Sequence, residues 1–358
     1  MNCTKHSFII LLLCALSHIS NSQIDAPIAP RDTTAKSKNK QPKVKIEGVI
    51  TMHYLREFNT NGDSLLDADG FRLFKARLQA SGKINKKIGY TLMIDPRTPE
   101  PGGLLRDAYI QLWHIKNQEI RIGRQKTQFG WENRTSSTQR YTVMLGTMSD
   151  GITRGFTLRD NGIGIIGHIP INKHWRIEDA ITFTNGARMD ITGPYDFNTK
   201  KALWGRIGVR YKKDELTFRA GGSFGTGGIR DIGDNIIDAA DDIYIDIARV
   251  GADLQIEHKS FFMAAEWAMQ KDTHMDTLYL ESMGYQVVLA LKTKWKIGPL
   301  MRYDTDEDED SKVWTVGAYY GNLKDKYRIL VNYVFRGNIK DVPEGHDDRL
   351  YIQMQVAF

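Results

Sequence analysis

From Val44 to Phe358 the chain falls into segments in which apolar and polar side chains alternate with a period of two, the spacing of a β-strand with one apolar face. Arg349 to Phe358 show it plainly: Leu350, Ile352, Met354, Val356 and Phe358 share one face, and Tyr351, Gln353, Gln355 and Ala357 share the other. A half-apolar edge strand of this length invites aggregation unless another strand pairs with it. Pairing with the first segment, 44–54, closes a barrel and leaves no edge. Leu350 through Phe358 then face outward, with Gln353 and Gln355 turned to water.

Similar segments fill the interval: 44–54, 71–81, 88–95, 104–114, 119–126, 162–169, 175–184 and 201–211. They continue as 215–224, 242–258, 261–271, 279–292, 295–304, 312–323, 327–336 and 349–358. They number about sixteen, each near the roughly ten residues a tilted membrane strand needs. Short turns follow the even segments: Gly82 to Lys87, Ile115 to Gln118, Pro170 to His174, Lys212 to Asp214 and Lys324 to Lys326. Long polar connections follow the odd ones: Arg56 to Gly70, Thr127 to Asn161, Gly186 to Lys200 and Gly225 to Asp241. That asymmetry of rims is characteristic of membrane barrels, with short periplasmic turns and long outer loops. The expected fold class is all-β, a transmembrane antiparallel β-barrel.

Faces follow where the pattern is clean. Phe74, Ala76, Leu78 and Ala80 oppose Lys75, Arg77 and Gln79; Leu203, Ile207, Val209 and Tyr211 oppose Trp204, Arg206 and Arg210. Tyr327, Ile329, Val331, Tyr333 and Phe335 oppose Arg328, Asn332 and Arg336. Segments 175–184 and 312–323 alternate too weakly to assign. Trp113, Trp175, Tyr211, Trp295 and Phe358 lie near strand ends, where interfacial aromatic girdles sit. Alternation alone also fits a soluble sandwich; the rim asymmetry and the N-terminus favour the membrane barrel.

That N-terminus reads as a secretory signal over residues 1–22: Lys5 and His6, an apolar run from Phe8 to Leu16, and small residues at Ser20-Asn21-Ser22. Cys14 as a lipoprotein acceptor is the weaker alternative, because Leu13 precedes it instead of a small residue. Residues 23–43, rich in Pro, Thr, Ser and Lys, read as a flexible periplasmic linker, and 44–358 as the barrel. Cys3 and Cys14 are the chain's two cysteines, so cleavage leaves no thiol, disulfide or cysteine metal site. A mean hydropathy of −0.41 does not contradict a membrane barrel, since only alternate residues meet lipid. Downstream of the signal no apolar run approaches the roughly 18 residues of a membrane helix, so a membrane-spanning form must be a barrel.

Charge adds the candidate chemistry. Without residues 1–22 the chain carries 48 basic against 43 acidic side chains, too small an excess to imply nucleic acid. Its distribution is more informative. The Thr127–Asn161 connection far exceeds ordinary loop lengths and contains Arg134, Arg140, Arg154 and Arg159. It follows Arg121, Arg124 and Lys126, and the lumen-side positions Lys75, Arg77, Arg206, Arg210 and Arg219 add to it. Rows of Arg and Lys select anions in pores, and guanidinium forks match phosphate or carboxylate. Alternatively, lumen acids such as Asp107 and Glu178 neutralise these bases and leave a wide, unselective pore. About sixteen strands enclose an interior too wide for side chains to fill, so it should hold water.

Three stretches, Phe71-Arg72-Leu73-Phe74-Lys75-Ala76-Arg77-Leu78, Leu105-Arg106-Asp107-Ala108-Tyr109-Ile110 and Thr184-Asn185-Gly186, carry a family likeness. On them the chain resembles the phosphate-selective porins O and P of Gram-negative outer membranes. Its most specific stretch is Arg121-Ile122-Gly123-Arg124-Gln125-Lys126-Thr127-Gln128-Phe129-Gly130, where Gln128 departs from the Pro of the family pattern. The resemblance implies a sixteen-stranded barrel and a homotrimer in outer-membrane lipid. It further implies a third loop folded inward, and basic residues lining the path of small anions such as phosphate. Arg121, Arg124 and Lys126 would sit where that loop leaves the wall.

Other signals are weaker. Asp63, Asp67 and Asp69 faintly resemble a calcium loop without its spacing or terminal Glu. Asp304 to Asp310 reads as a solvated acidic run on the outer rim. The His residues show no metal-ligand spacing and no GxSxG nucleophile motif appears, so no cofactor or metal is expected. The expected function is passive, anion-selective diffusion across the outer membrane; a general diffusion pore is the alternative, and a barrel enzyme the more remote one.

Overall fold

In the computed structural model the described residues are 43–58, 68–97, 104–154, 159–186, 200–231, 243–274, 277–306, 311–336 and 348–358. The expected signal and all of the linker but Lys43 lie outside them, as do 59–67 of the calcium-like loop and 307–310 of the acidic run.

Sixteen antiparallel strands close into one barrel. The first eight are β1 (Val44–Phe58), β2 (Asp69–Lys83), β3 (Ile88–Ile94), β4 (Leu105–Leu112), β5 (Gln118–Lys126), β6 (Arg159–Pro170), β7 (Trp175–Thr184) and β8 (Ala202–Lys213). The rest are β9 (Leu216–Asp231), β10 (Ile243–Glu257), β11 (Phe261–His274), β12 (Thr277–Leu291), β13 (Ile297–Asp306), β14 (Ser311–Tyr320), β15 (Tyr327–Arg336) and β16 (Asp348–Ala357). Each pairs with its sequence neighbours, and β1 pairs with β16 from Val49↔Ala357 to Phe58↔Asp348. The seam ends where Gly48 and Phe358 exchange backbone hydrogen bonds at 3.0 Å each way. A Cβ on Gly48 would clash with the edge of the Phe358 ring, so the glycine gives the terminal aromatic its seat.

The barrel is apolar outside and polar inside. Ile50, Ile110, Ile163, Ile207, Met354 and Val356 are exposed on the outer surface, while Thr51, Gln286, Arg328, Asn332, Gln353 and Gln355 are buried on the inner one. The glutamines therefore face the interior as expected but are covered, not solvated. The weak alternation of β7 has a simple cause: its inward Ala180, Thr182 and Thr184 are small, opposing Ile181 and Phe183. Trp113 differs from the girdle expectation, because its indole Nε1–H donates to Glu119 at 3.2 Å and it lines a recess with Tyr109 and Gln111.

Two further expectations are corrected. Gly225 to Asp241 reads as a long connection, with glycines at 225, 227 and 228, yet β9 runs on to Asp231, paired with β10 throughout. Glycine weakens a strand without ending it when a neighbouring ladder takes its backbone groups. In β2 a bulge opposite Thr51 and Met52 adds Phe74 to the strand. The extra residue breaks the alternation, and Phe74 stacks on the inward His53 at 4.7 Å instead of facing out with Ala76.

Candidate functional site

The connection between β5 and β6 crosses the interior. It carries a 3-10 turn at Ser137–Gln139 and a π-helical turn at Ser149–Arg154. Its start is fixed locally: Lys126 Nζ donates to the carbonyls of Asn133 at 2.8 Å and Thr135 at 3.3 Å, and Arg134 Nε donates to Gln128 Oε1 at 2.9 Å. Gln128 thus holds a turn where the family pattern has Pro. Gly130, at a φ of 66°, takes the left-handed conformation that a side chain would strain, and its N–H donates to Ser223 Oγ at 3.0 Å.

Beyond that point the loop is tied to the wall of β9–β16. The Trp131 and Glu132 N–H groups donate to Glu266 at 2.8 and 3.1 Å. Val143 N–H donates to Asn332 at 2.8 Å, and Thr147 N–H to Asp304 at 2.6 Å. In return, Arg302, Arg328 and Arg249 donate to the carbonyls of Met144, Arg140 and Ile152. Apolar packing reinforces these bonds. Trp131, Tyr141 and Val143 join a cluster with Phe262, Val288 and Leu330; Phe129, Met148 and Ile152 join another with Trp204, Ile245 and Ile247. The wall has small residues where the loop docks: a Cβ on Gly284 would meet Met148, and one on Gly251 would press on Phe129. This half of the interior is therefore filled. Asp304, expected in a solvated rim run, is a buried tether instead.

The unfilled half is a cavity of about 620 Å³. Its lining from β2, β4, β5, β6 and the β3–β4 connection comprises Arg72, Lys75, Arg77, Arg97, Arg106, Lys126 and Arg159, with Phe74 the only non-basic side chain among the described residues there. The loop and β13–β16 add Arg140, Arg302, Arg336 and Arg349, so eleven bases line it against two acids, Glu132 and Asp150. Some bases are paired: Arg159 donates twice to Asp107 at 2.9 and 3.2 Å, and Arg77 to Asp95 at 3.0 Å. Arg302 pairs with Asp304 at 2.8 Å and Arg349 with Glu57 at 2.8 Å. Counting these four partner carboxylates, the bases still lead eleven to six. Among the described residues no ion pair involves Arg72 or Lys75. Lys75 Nζ instead lies 4.1 Å from the centroid of the Phe74 ring. Burial lowers Arg134 in the loop to about 10, which leaves it charged at neutral pH.

The expected site residues separate into groups. Lys75, Arg77, Lys126 and Arg159 line the cavity, and Arg159 does so from the first position of β6, not from the loop. Arg206 is removed from it by a bidentate pair with Asp253 at 2.7 and 2.6 Å. Arg124 is buried in the wall and donates to the Leu105 carbonyl at 3.2 Å. Arg121 sits toward the short-turn rim, paired with Glu119 at 2.6 Å. Arg210 and Arg219 lie there too, in register with Arg176, which pairs with Glu178 at 2.5 Å. The Arg154 side chain lies outside the described residues.

Sequence reasoning left Arg72, Arg97, Arg106, Arg302, Arg336 and Arg349 out of the site. Alternation does place Arg302 and Arg336 inward, and the Leu105–Ile110 motif contains Arg106. Arg72 had no such signal, because the bulge at Phe74 shifts its phase.

A family model described as phosphate-selective porin O and P matches residues 44–170, which span β1 to β6. The match leaves β7 to β16 outside it. No curated protein matches the chain. Among solved structures, the anion-selective porin from Comamonas acidovorans is similar at 14% identity and a TM-score of 0.59, covering 89% of this chain and 100% of that one. OmpT, an outer membrane protein of Vibrio cholerae in its trimer form, is similar at 11% identity and a TM-score of 0.58, covering 88% and 99%. Salmonella typhi OmpF is similar at 15% identity and a TM-score of 0.52, covering 88% and 97%. At these identities the likeness is one of fold. Barrel and family together place this porin in the outer membrane of a Gram-negative bacterium.

Proposed function

We propose that the chain is a passive, anion-selective porin, a channel and not an enzyme, that lets small anions such as phosphate move down their gradients. The observation that carries this reading is the cavity beside the inner loop, where eleven bases meet two acids and Lys75 makes no carboxylate contact among the described residues. An anion there exchanges water for guanidinium and ammonium donors. Several shallow sites suit conduction better than one deep site, because a solute must leave as well as enter. Arg176, Arg210 and Arg219 near the short-turn rim would receive it next. The family description supports phosphate, the Comamonas neighbour supports anion selectivity, and the trimer form of OmpT supports a homotrimer here.

The pairs Arg159–Asp107 and Arg206–Asp253 favour a second reading, a general diffusion pore with neutralised walls. Phosphate block of the chloride current separates the two. Block that Lys75→Gln weakens supports the selective channel; absence of block supports the general pore.

A further inference from the structure

Bases line the cavity on both sides, but its aliphatic lining is confined to one. All its bases from β2–β6 come with one apolar side chain, Phe74, whose ring also lies 5.6 Å from the Arg97 guanidinium. Its aliphatic lining comes wholly from elsewhere: Val143, Met144 and Leu145 of the inner loop, Val313 of β14 and Val334 of β15. Tyr351 of β16 adds an aromatic, linked through His53 to Phe74 by ring contacts of 5.7 and 4.7 Å. Met144 and Leu145 are only half-buried, so the loop holds apolar surface toward the lumen.

A hydrated inorganic ion gains nothing from such surface, since aliphatic groups return none of the hydrogen bonds its water shell gives up. A solute with an apolar body gains by covering it. The volume also lies within the roughly 300–1,000 Å³ of small-molecule sites. Resting on the anion-channel reading, we propose that the cavity prefers amphipathic organic anions. Their carboxylate or sulfonate head meets Lys75 and Arg72, and an apolar body of about the size of an aryl ring lies against Met144, Leu145 and Phe74.

The test is block of the chloride current through the whole protein in planar bilayers by benzoate, acetate, phosphate and benzyl alcohol. Benzoate should halve the current at a concentration at least about tenfold below acetate or phosphate, a difference of about 1.4 kcal/mol. Benzyl alcohol, with the body and no charge, should not block. Met144→Ser with Leu145→Ser, or Leu145→Ser alone if the double variant fails to form a barrel, should bring benzoate toward the level of acetate. A channel that favours chloride yet is blocked no better by benzoate than by acetate or phosphate overturns this proposal alone, and so does block by benzyl alcohol. A channel that does not favour chloride overturns the reading beneath it.

Discussion

Lys75 and Phe74 are adjacent in β2, yet both side chains enter the lumen, the ammonium 4.1 Å from the ring centroid. Neighbours on a regular strand point to opposite faces; the bulge opposite Thr51 and Met52 puts these two on one. The ring holds the charge where no carboxylate of the described residues reaches it. A hydrogen bond to a charged group is worth about 1.5–3 kcal/mol. Lys75→Gln should therefore raise the half-blocking phosphate concentration about tenfold or more. Titration of the chloride current with phosphate measures this.

Arg206 should behave in the opposite way. The sequence places it among the pore-lining bases, but Asp253 takes both ends of its fork. Arg206→Ala should leave ion selectivity unchanged and cost about 3–5 kcal/mol of stability, because it strands a buried carboxylate. Thermal unfolding and reversal potential on the same preparation check both halves. Replacing the pair with Met and Leu should restore most of the stability.

Glu266 is the main anchor of the inner loop where it leaves β5, accepting from Trp131 and Glu132 N–H and from Gln286 Nε2 at 3.2 Å. Glu266→Ala leaves the buried Trp131 and Glu132 N–H groups short of an acceptor, at about 1–3 kcal/mol for each unsatisfied group, while Gln286 keeps Glu132 and Ser149. The loop should then become sensitive to protease in a barrel that still resists it, visible as a nick between β5 and β6.

Gly284 tests the docking from the wall. A side chain there runs into Met148 and the Thr305 carbonyl. Gly284→Leu should cost about 1–3 kcal/mol by overpacking and expose the same loop to protease. Tyr285→Leu, one residue on and facing outward, should do neither.

The barrel was largely legible in the sequence because its strands carry their own instructions. Period-two alternation in Tyr327–Arg336 matches the observed strand end to end, and the 175–184 segment has the observed bounds although its alternation is too weak to assign faces. The length of the 127–161 connection marked it as unusual. The site was legible only in part. Which bases stay open depends on partners far away in sequence, as Asp253 is from Arg206 and Asp107 from Arg159. The inward Gly284 and Gly251 read as weak strand positions until closure brings Met148 and Phe129 against them. The bulge at Phe74 leaves no mark in a two-residue pattern beyond a local loss of phase.

The central claim is that the open half of the lumen selects anions. The most direct measurement is the reversal potential of single channels of the whole protein in a planar bilayer under a KCl gradient. A potential on the chloride side, shifted toward zero by Lys75→Gln and not by Arg206→Ala, is the predicted result. A zero or potassium-side potential would contradict it.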